Sequence, residues 1–97
     1  MCFTAMPGRA DELADLFVQV AGGLRSVPGC ISWIVARNPQ VADEVWIQEL
    51  WVSSDAAKQA LAAQDSGEGP QPADVMALCA GPPQRIDLTP VGGVGFS

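Results

Sequence analysis

A chain of 97 residues, 48% of them apolar, is long enough for one domain with one core and short for two, so residues 1–97 are read as a single unit whose burial a partner can complete. A net charge of −6, with five Lys and Arg against eleven Asp and Glu, repels a phosphate backbone and excludes nucleic acid as a partner. No apolar run approaches the roughly 18 to 20 residues that span a bilayer, and Met1-Cys2-Phe3 opens no signal core, so a membrane is excluded and the cytoplasm is expected.

Along the chain, Cys2 to Met6 reads as a short first strand, stopped by the Pro7-Gly8 turn. Asp11 and Glu12 then place negative charge at the positive end of a helix dipole. Leu13, Leu16, Phe17, Val20, Ala21 and Leu24 follow at helical spacing and make one apolar stripe. Gly22-Gly23 near its end implies a bend, a close neighbour or a weak last turn. Pro28-Gly29 stops the helix. Cys30 to Arg37 alternates with apolar residues on both sides and reads as an interior strand covered on two faces. Asn38 to Asp43 connects it to a returning strand, Glu44 to Val52, in an antiparallel hairpin that carries Trp33, Trp46 and Trp51. On the second strand Val45, Ile47, Glu49 and Trp51 share one face, and Trp46, Gln48, Leu50 and Val52 the other. Glu49 is therefore a carboxylate beside a core, and must be solvated, paired or used.

Ser53 or Ser54 caps a second helix through the alanine run Ala56 to Ala63, whose apolar face of Ala57, Ala60 and Leu61 is thin. Ser66 to Pro72 is a breaker-rich loop and a candidate lid. A third short helix, Ala73 to Cys79, buries Val75, Met76, Leu78 and Cys79. Arg85 to Thr89 alternates as a last strand with Ile86 and Leu88 inward, and Val91 to Ser97 is a loose tail with two apolar anchors. Cys2, Cys30 and Cys79 are odd in number and widely spaced, so they read as buried free thiols rather than a disulfide framework or zinc knuckle. With no His and no Tyr, the usual near-neutral acid/base group and the usual metal and haem ligand are missing.

The order β-α-β-β-α-(α)-β predicts an α+β, ferredoxin-like split βαβ unit: a four-stranded antiparallel sheet with helices on one face. Because both faces of the hairpin strands are apolar, the second face is expected to meet another copy of itself, giving a homodimer with sheets packed face to face.

Pro7-Gly8 before the first helix, Pro28-Gly29-Cys30 before the second strand, Glu49-Leu50-Trp51-Val52-Ser53-Ser54 leading into an alanine-rich helix, and the closing Pro90-Val91 and Gly93 form a recognisable set. Over nearly the whole chain this set resembles the antibiotic biosynthesis monooxygenase (ABM) superfamily of dimeric α+β barrels. The resemblance implies a ferredoxin-like protomer, a homodimer, and a pocket in each protomer between sheet and helices. It also implies one of several chemistries: cofactor-free oxygenation of anthrones and quinols, haem degradation, or isomerisation of a signalling molecule. Haem-degrading members carry a His and an aromatic residue on the segment after the Glu-x-Trp strand, where this chain has Ala60 and Leu61, and the His that many members place near Lys58 is absent. Cys79 is read as core rather than as a haem thiolate. No metal or cofactor is expected. Family members usually have a longer first strand, so the N-terminus is expected to be shortened.

The chemistry that remains is cofactor-independent monooxygenation of a small aromatic, quinol- or anthrone-like substrate that supplies electrons to dioxygen once deprotonated. In that reading Glu49 accepts the proton, Arg85 or Gln48 steadies the oxyanion, and Trp33, Trp46, Trp51 and Met76 line the substrate. Structural roles compete: the indoles as core or interface residues, Glu49 paired with Arg85 or Arg37 or capping a backbone donor, and Arg85 as a solvated edge residue. The alternative function is a non-catalytic dimeric module that binds an apolar metabolite. A pocket with a buried, unpaired Glu49 favours the enzyme; a filled interior with Glu49 in a salt bridge favours the module.

Overall fold

The alternation read from the hairpin is realised as two antiparallel strands, β2 (Cys30–Arg37) and β3 (Glu44–Trp51), with Trp33 opposite Glu49 and Val35 opposite Ile47. The computed structural model describes residues 1–66 and 69–94. A short strand β1 (Cys2–Thr4) pairs antiparallel with the other side of β3, Phe3 opposite Val45, so the sheet order is β1-β3-β2. The helices are α1 (Ala10–Leu24), α2 (Ser54–Ser66) and α3 (Pro72–Ala77). Among the described residues no helix is long and apolar enough to cross a membrane.

One face of this sheet makes the core. Phe3, Val45 and Ile47 project from the strands onto Leu13 and Phe17 of α1 and Val75 of α3, all buried. The stripe read from the helix is the side that docks, and Phe17 stacks obliquely between Phe3, at 4.7 Å, and Trp33, at 6.0 Å between ring centroids. Gly22 and Gly23 fall in the last turn of α1, and a side chain added at either would meet nothing within 4 Å, which removes close packing as their reason. Gly29 is different. Its φ of +87° is a left-handed conformation, and its Cα lies so near α2 that a Cβ would sit 2.7 Å from Ala56 Cβ. Val52 N–H donates to the Gly29 carbonyl, and Ser53 Oγ accepts from Ala56 N–H, so the end of β3 and the cap of α2 are tied to the start of β2.

Two expectations change. Among the described residues the sheet has three strands, not four, and Arg85–Thr89 is not a strand. The segment after α3 does come alongside β1, with isolated bridges Ala5 to Cys79 and Cys2 to Gln84, but Pro82 and Pro83 lie between them and have no N–H to give a ladder. Ile86 and Leu88 are consequently not inward: they are 69% and 84% exposed. The second change concerns β2, which is an edge strand rather than an interior one, with helices covering one face of the sheet. On the other face Ile34 is 51% exposed and Trp46 37%. Of the candidate lid, Gly67 and Glu68 lie outside the described residues, as do Gly95–Ser97 of the tail.

Candidate functional site

The period of two along β3 sends Glu49 and Trp51 to the helix-covered face, toward which Trp33 projects from the opposite position on β2. There Trp51 Nε1 donates to Glu49 Oε1 at 3.0 Å. This contact answers the question the sequence left open about the carboxylate. Arg37 is spent on Asp11 of α1 and on the Ala42 carbonyl, and Arg85 Nε donates to Asp87 Oδ1 at 2.8 Å. Among the described residues Glu49 is thus in no salt bridge, and it is exposed: a solvent-reached carboxylate oriented by an indole.

Its surroundings carry a weak positive field and a thiol. The Arg85 guanidinium is held above its ordinary pKa first by the hydrogen bond to Asp87, then by the charge of Asp87, and lastly by Glu49, which places it within electrostatic reach of that carboxylate. The Cys30 thiol, opposite Trp51, is pushed up by burial and then by the charge of Glu49. Glu49, Trp51, Trp33 and Cys30 therefore share one end of the sheet, past the Phe3–Phe17–Trp33 stack that closes the core. α2 approaches the same end through Ala56 and the buried Ala60, so small side chains face it from above.

The remaining candidates lie elsewhere. Trp46 and Gln48 are on the opposite, open face of the sheet, as their place in the alternation requires. Met76 is 45% exposed on α3, next to the buried Val75, rather than buried as the helix pattern implied. A separate open hollow of about 260 Å³ is lined by Gly8, Ala10, Asp11, Arg37, Ala42 and Asp43, at the far end of the hairpin from Glu49.

One arrangement was missed in the sequence although the same spacing carries it. Glu44-Val45-Trp46 repeats Glu49-Leu50-Trp51 five residues earlier, hence on the opposite face. Trp46 Nε1 donates to Glu44 Oε1 at 3.0 Å, and Asn38 Nδ2 donates to the same oxygen at 3.0 Å. These bonds, Asn38 first and then Trp46, hold the Glu44 carboxyl below the usual carboxylate range.

Residues 2–68 match the sequence pattern of the antibiotic biosynthesis monooxygenase family. Among solved structures, the crystal structure of a proposed antibiotic biosynthesis monooxygenase from Chloroflexus aurantiacus J-10-fl is similar at 34% identity and a TM-score of 0.77, over 95% of this chain and 89% of that one. No protein of curated function matches the chain.

Proposed function

The chain belongs to the antibiotic biosynthesis monooxygenase family, and from that premise we propose that it is a cofactor-independent monooxygenase of a small quinol- or anthrone-like aromatic, working as a homodimer in the cytoplasm. The observation that carries this reading is the Glu49–Trp51 hydrogen bond beside Trp33: a carboxylate fixed in direction at the margin of an aromatic wall. In this reading a substrate ring lies against Trp33 and Trp51. Glu49 takes the acidic proton, and the electron-rich anion that results reduces dioxygen. One oxygen atom stays on carbon and the other leaves as water, so the substrate supplies all the electrons. Arg85, in the field of Glu49, steadies the anion before oxygen arrives.

The dimer is supported by the sheet face without helices, where Ile34 is 51% exposed and Trp46 37%. Trp46 and Gln48 belong to that interface in this reading, on the sheet face without helices. The free thiols of Cys2, Cys30 and Cys79 suit a reducing compartment.

Exposure of Glu49 to solvent favours a second reading, in which the same wall binds an apolar metabolite without turnover. Oxygen uptake over a panel of anthrones and hydroquinones, with Glu49→Gln and Trp51→Phe beside the wild type, separates the two. Turnover that falls about a hundredfold in Glu49→Gln supports the enzyme. Saturable binding with uptake at the buffer rate supports the module.

A further inference from the structure

The helix α1 is not held equally along its length. At its start Arg37 of β2 is bonded to Asp11, and in its middle the buried Phe17 lies against Trp33. The helix therefore runs back along β2, and a short link from Arg25 to Gly29 joins its end to Cys30. Its last turn thus lies at the end of the sheet that holds Glu49 and Trp51. There the apolar stripe continues as Val20, Ala21 and Leu24, but all three are only half-buried. A slip in the register of β2, between Cys30 and Ser32, turns Cys30 to the same helix-covered side, opposite Trp51.

That last turn is built weakly. Gly22 and Gly23 are helical without a positive φ, and a Cβ on either would meet nothing within 4 Å, so alanine fits in both places. Two interior glycines together weaken a helical turn by roughly thirtyfold relative to alanine, and no packing offsets the loss. The turn carries no basic residue to meet the negative end of the dipole, and its C-cap, Arg25, is right-handed. Beyond it Val27 N–H bonds back to the Leu24 carbonyl at 3.1 Å, and Pro28 has no N–H to add. The segment nevertheless ends on a fixed point, because Gly29 is packed on Ala56 and accepts from Val52 N–H.

A weak turn between two firm anchors, at the mouth of a site, is placed to open and close. Resting on the reading that this site receives a flat aromatic ring, we infer that residues 22–27 are its gate. The last turn of α1 unwinds at Gly22-Gly23, lifts Leu24 from the end of the sheet, admits the ring to Trp33 and Trp51, and rewinds over it. Val20 and Leu24 then gain in the ring the apolar partner that the sheet alone does not supply.

The test compares the full chain with Gly22→Ala/Gly23→Ala, which strengthens the closed turn and alters no residue of the site. In the wild type the Leu24 amide is expected to exchange hydrogen about a hundredfold faster than the Leu13 amide, and to slow about thirtyfold in the variant. Alkylation of Cys30 by N-ethylmaleimide, read on its peptide by mass, is expected to slow about tenfold or more. With alizarin, a flat three-ring probe followed by quenching of tryptophan fluorescence, association and dissociation should slow by one common factor, leaving the dissociation constant unchanged. Leu24 exchanging as slowly as Leu13 in the wild type, or Cys30 labelling or alizarin association at the wild-type rate in the variant, overturns the gate. Slowed labelling with no alizarin bound at any concentration overturns the flat-aromatic reading and not the gate.

Discussion

Trp46 and Glu44 are bonded through Nε1 and Oε1 at 3.0 Å on the open face of the sheet, repeating across β3 the bond that Trp51 makes to Glu49 on the helix-covered face. The same two-residue spacing yields the same contact because side chains i and i+2 project side by side from a strand. What differs is the company. Glu44 has a second donor in Asn38, whereas Glu49 has Arg85 in its field and Trp33 across the strand pair. Glu44 Oε1 takes two donors where Glu49 Oε1 takes one, so Glu49 keeps the greater acceptor capacity for a ligand.

Glu49 is expected to lose its direction when the indole N–H is removed. Trp51→Phe preserves an aromatic surface and deletes one hydrogen bond to an exposed carboxylate, so stability should fall by no more than about 1 kcal/mol. If Glu49 is the base, turnover of a reactive panel member should drop about tenfold in Trp51→Phe and about a hundredfold in Glu49→Gln. Parallel urea melts and oxygen-uptake rates check the split. Equal rates in both variants and the wild type would remove Glu49 from the chemistry.

The Gly29 and Gly8 positions give a controlled comparison. Both are left-handed, at φ +87° and +78°, but a Cβ at Gly8 meets nothing within 4 Å while one at Gly29 strikes Ala56 Cβ at 2.7 Å and Val52 Cγ2 at 3.0 Å. Gly8→Ala should cost about 1 kcal/mol, the backbone term alone. Gly29→Ala adds a clash that moves α2 away from the strands, and should cost about 2 to 4 kcal/mol. Chemical denaturation of the two variants reads the difference, and equal losses would mean that α2 yields without cost.

Much of this arrangement was legible because it is periodic. The stripe from Leu13 to Leu24 and the two-residue alternation of the hairpin predict which face of α1 docks and which face of β3 carries Glu49. Arg85–Thr89 shows the limit. Alternation says that a segment can be a strand, but a strand also needs a neighbour with free N–H and C=O groups, and Pro82-Pro83 beside a three-residue β1 removes it. Charge pairing was equally hidden: Arg37 finds Asp11 across the fold and Arg85 finds Asp87 next to it, choices that depend on rotamers and distances no spacing encodes. The exposure of Met76 came from the same source, since a six-residue helix has room to bury only Val75 fully.

Acid should weaken the fold through Glu44 and Glu12. Each carboxyl lies below its ordinary value of 4.5 in the folded chain, Glu44 because Asn38 and Trp46 donate to it, Glu12 because Arg9 does. A depressed folded pKa means that the unfolded chain binds the proton first, so the stabilisation is complete above about pH 4.5 and is lost as pH falls through the folded value. Glu44→Gln should flatten that part of the stability curve by lowering stability at neutral pH while converging with the wild type in acid, and the change is small because the group is solvent-screened. Urea midpoints between pH 6 and 3 test this; an identical acid slope in the variant would show that the Asn38–Glu44–Trp46 contact contributes nothing.

Leu13 is the residue on which the helix-to-sheet packing turns. It is fully buried, on the α1 stripe that meets Phe3, Val45 and Ile47, and a 97-residue chain has only about 5 to 15 kcal/mol of stability to lose. Leu13→Ala leaves a cavity between α1 and the sheet and should cost about 3 to 5 kcal/mol, enough to populate the unfolded state measurably at 37 °C. Val18→Ala, on the same helix but 58% exposed, should change stability by less than about 0.5 kcal/mol. Thermal unfolding of the pair reads this contrast directly. A small loss at Leu13 would mean that α1 repacks over Val45 and Ile47, and the aromatic stack of Phe17 on Trp33 would then be the contact that fixes the helix.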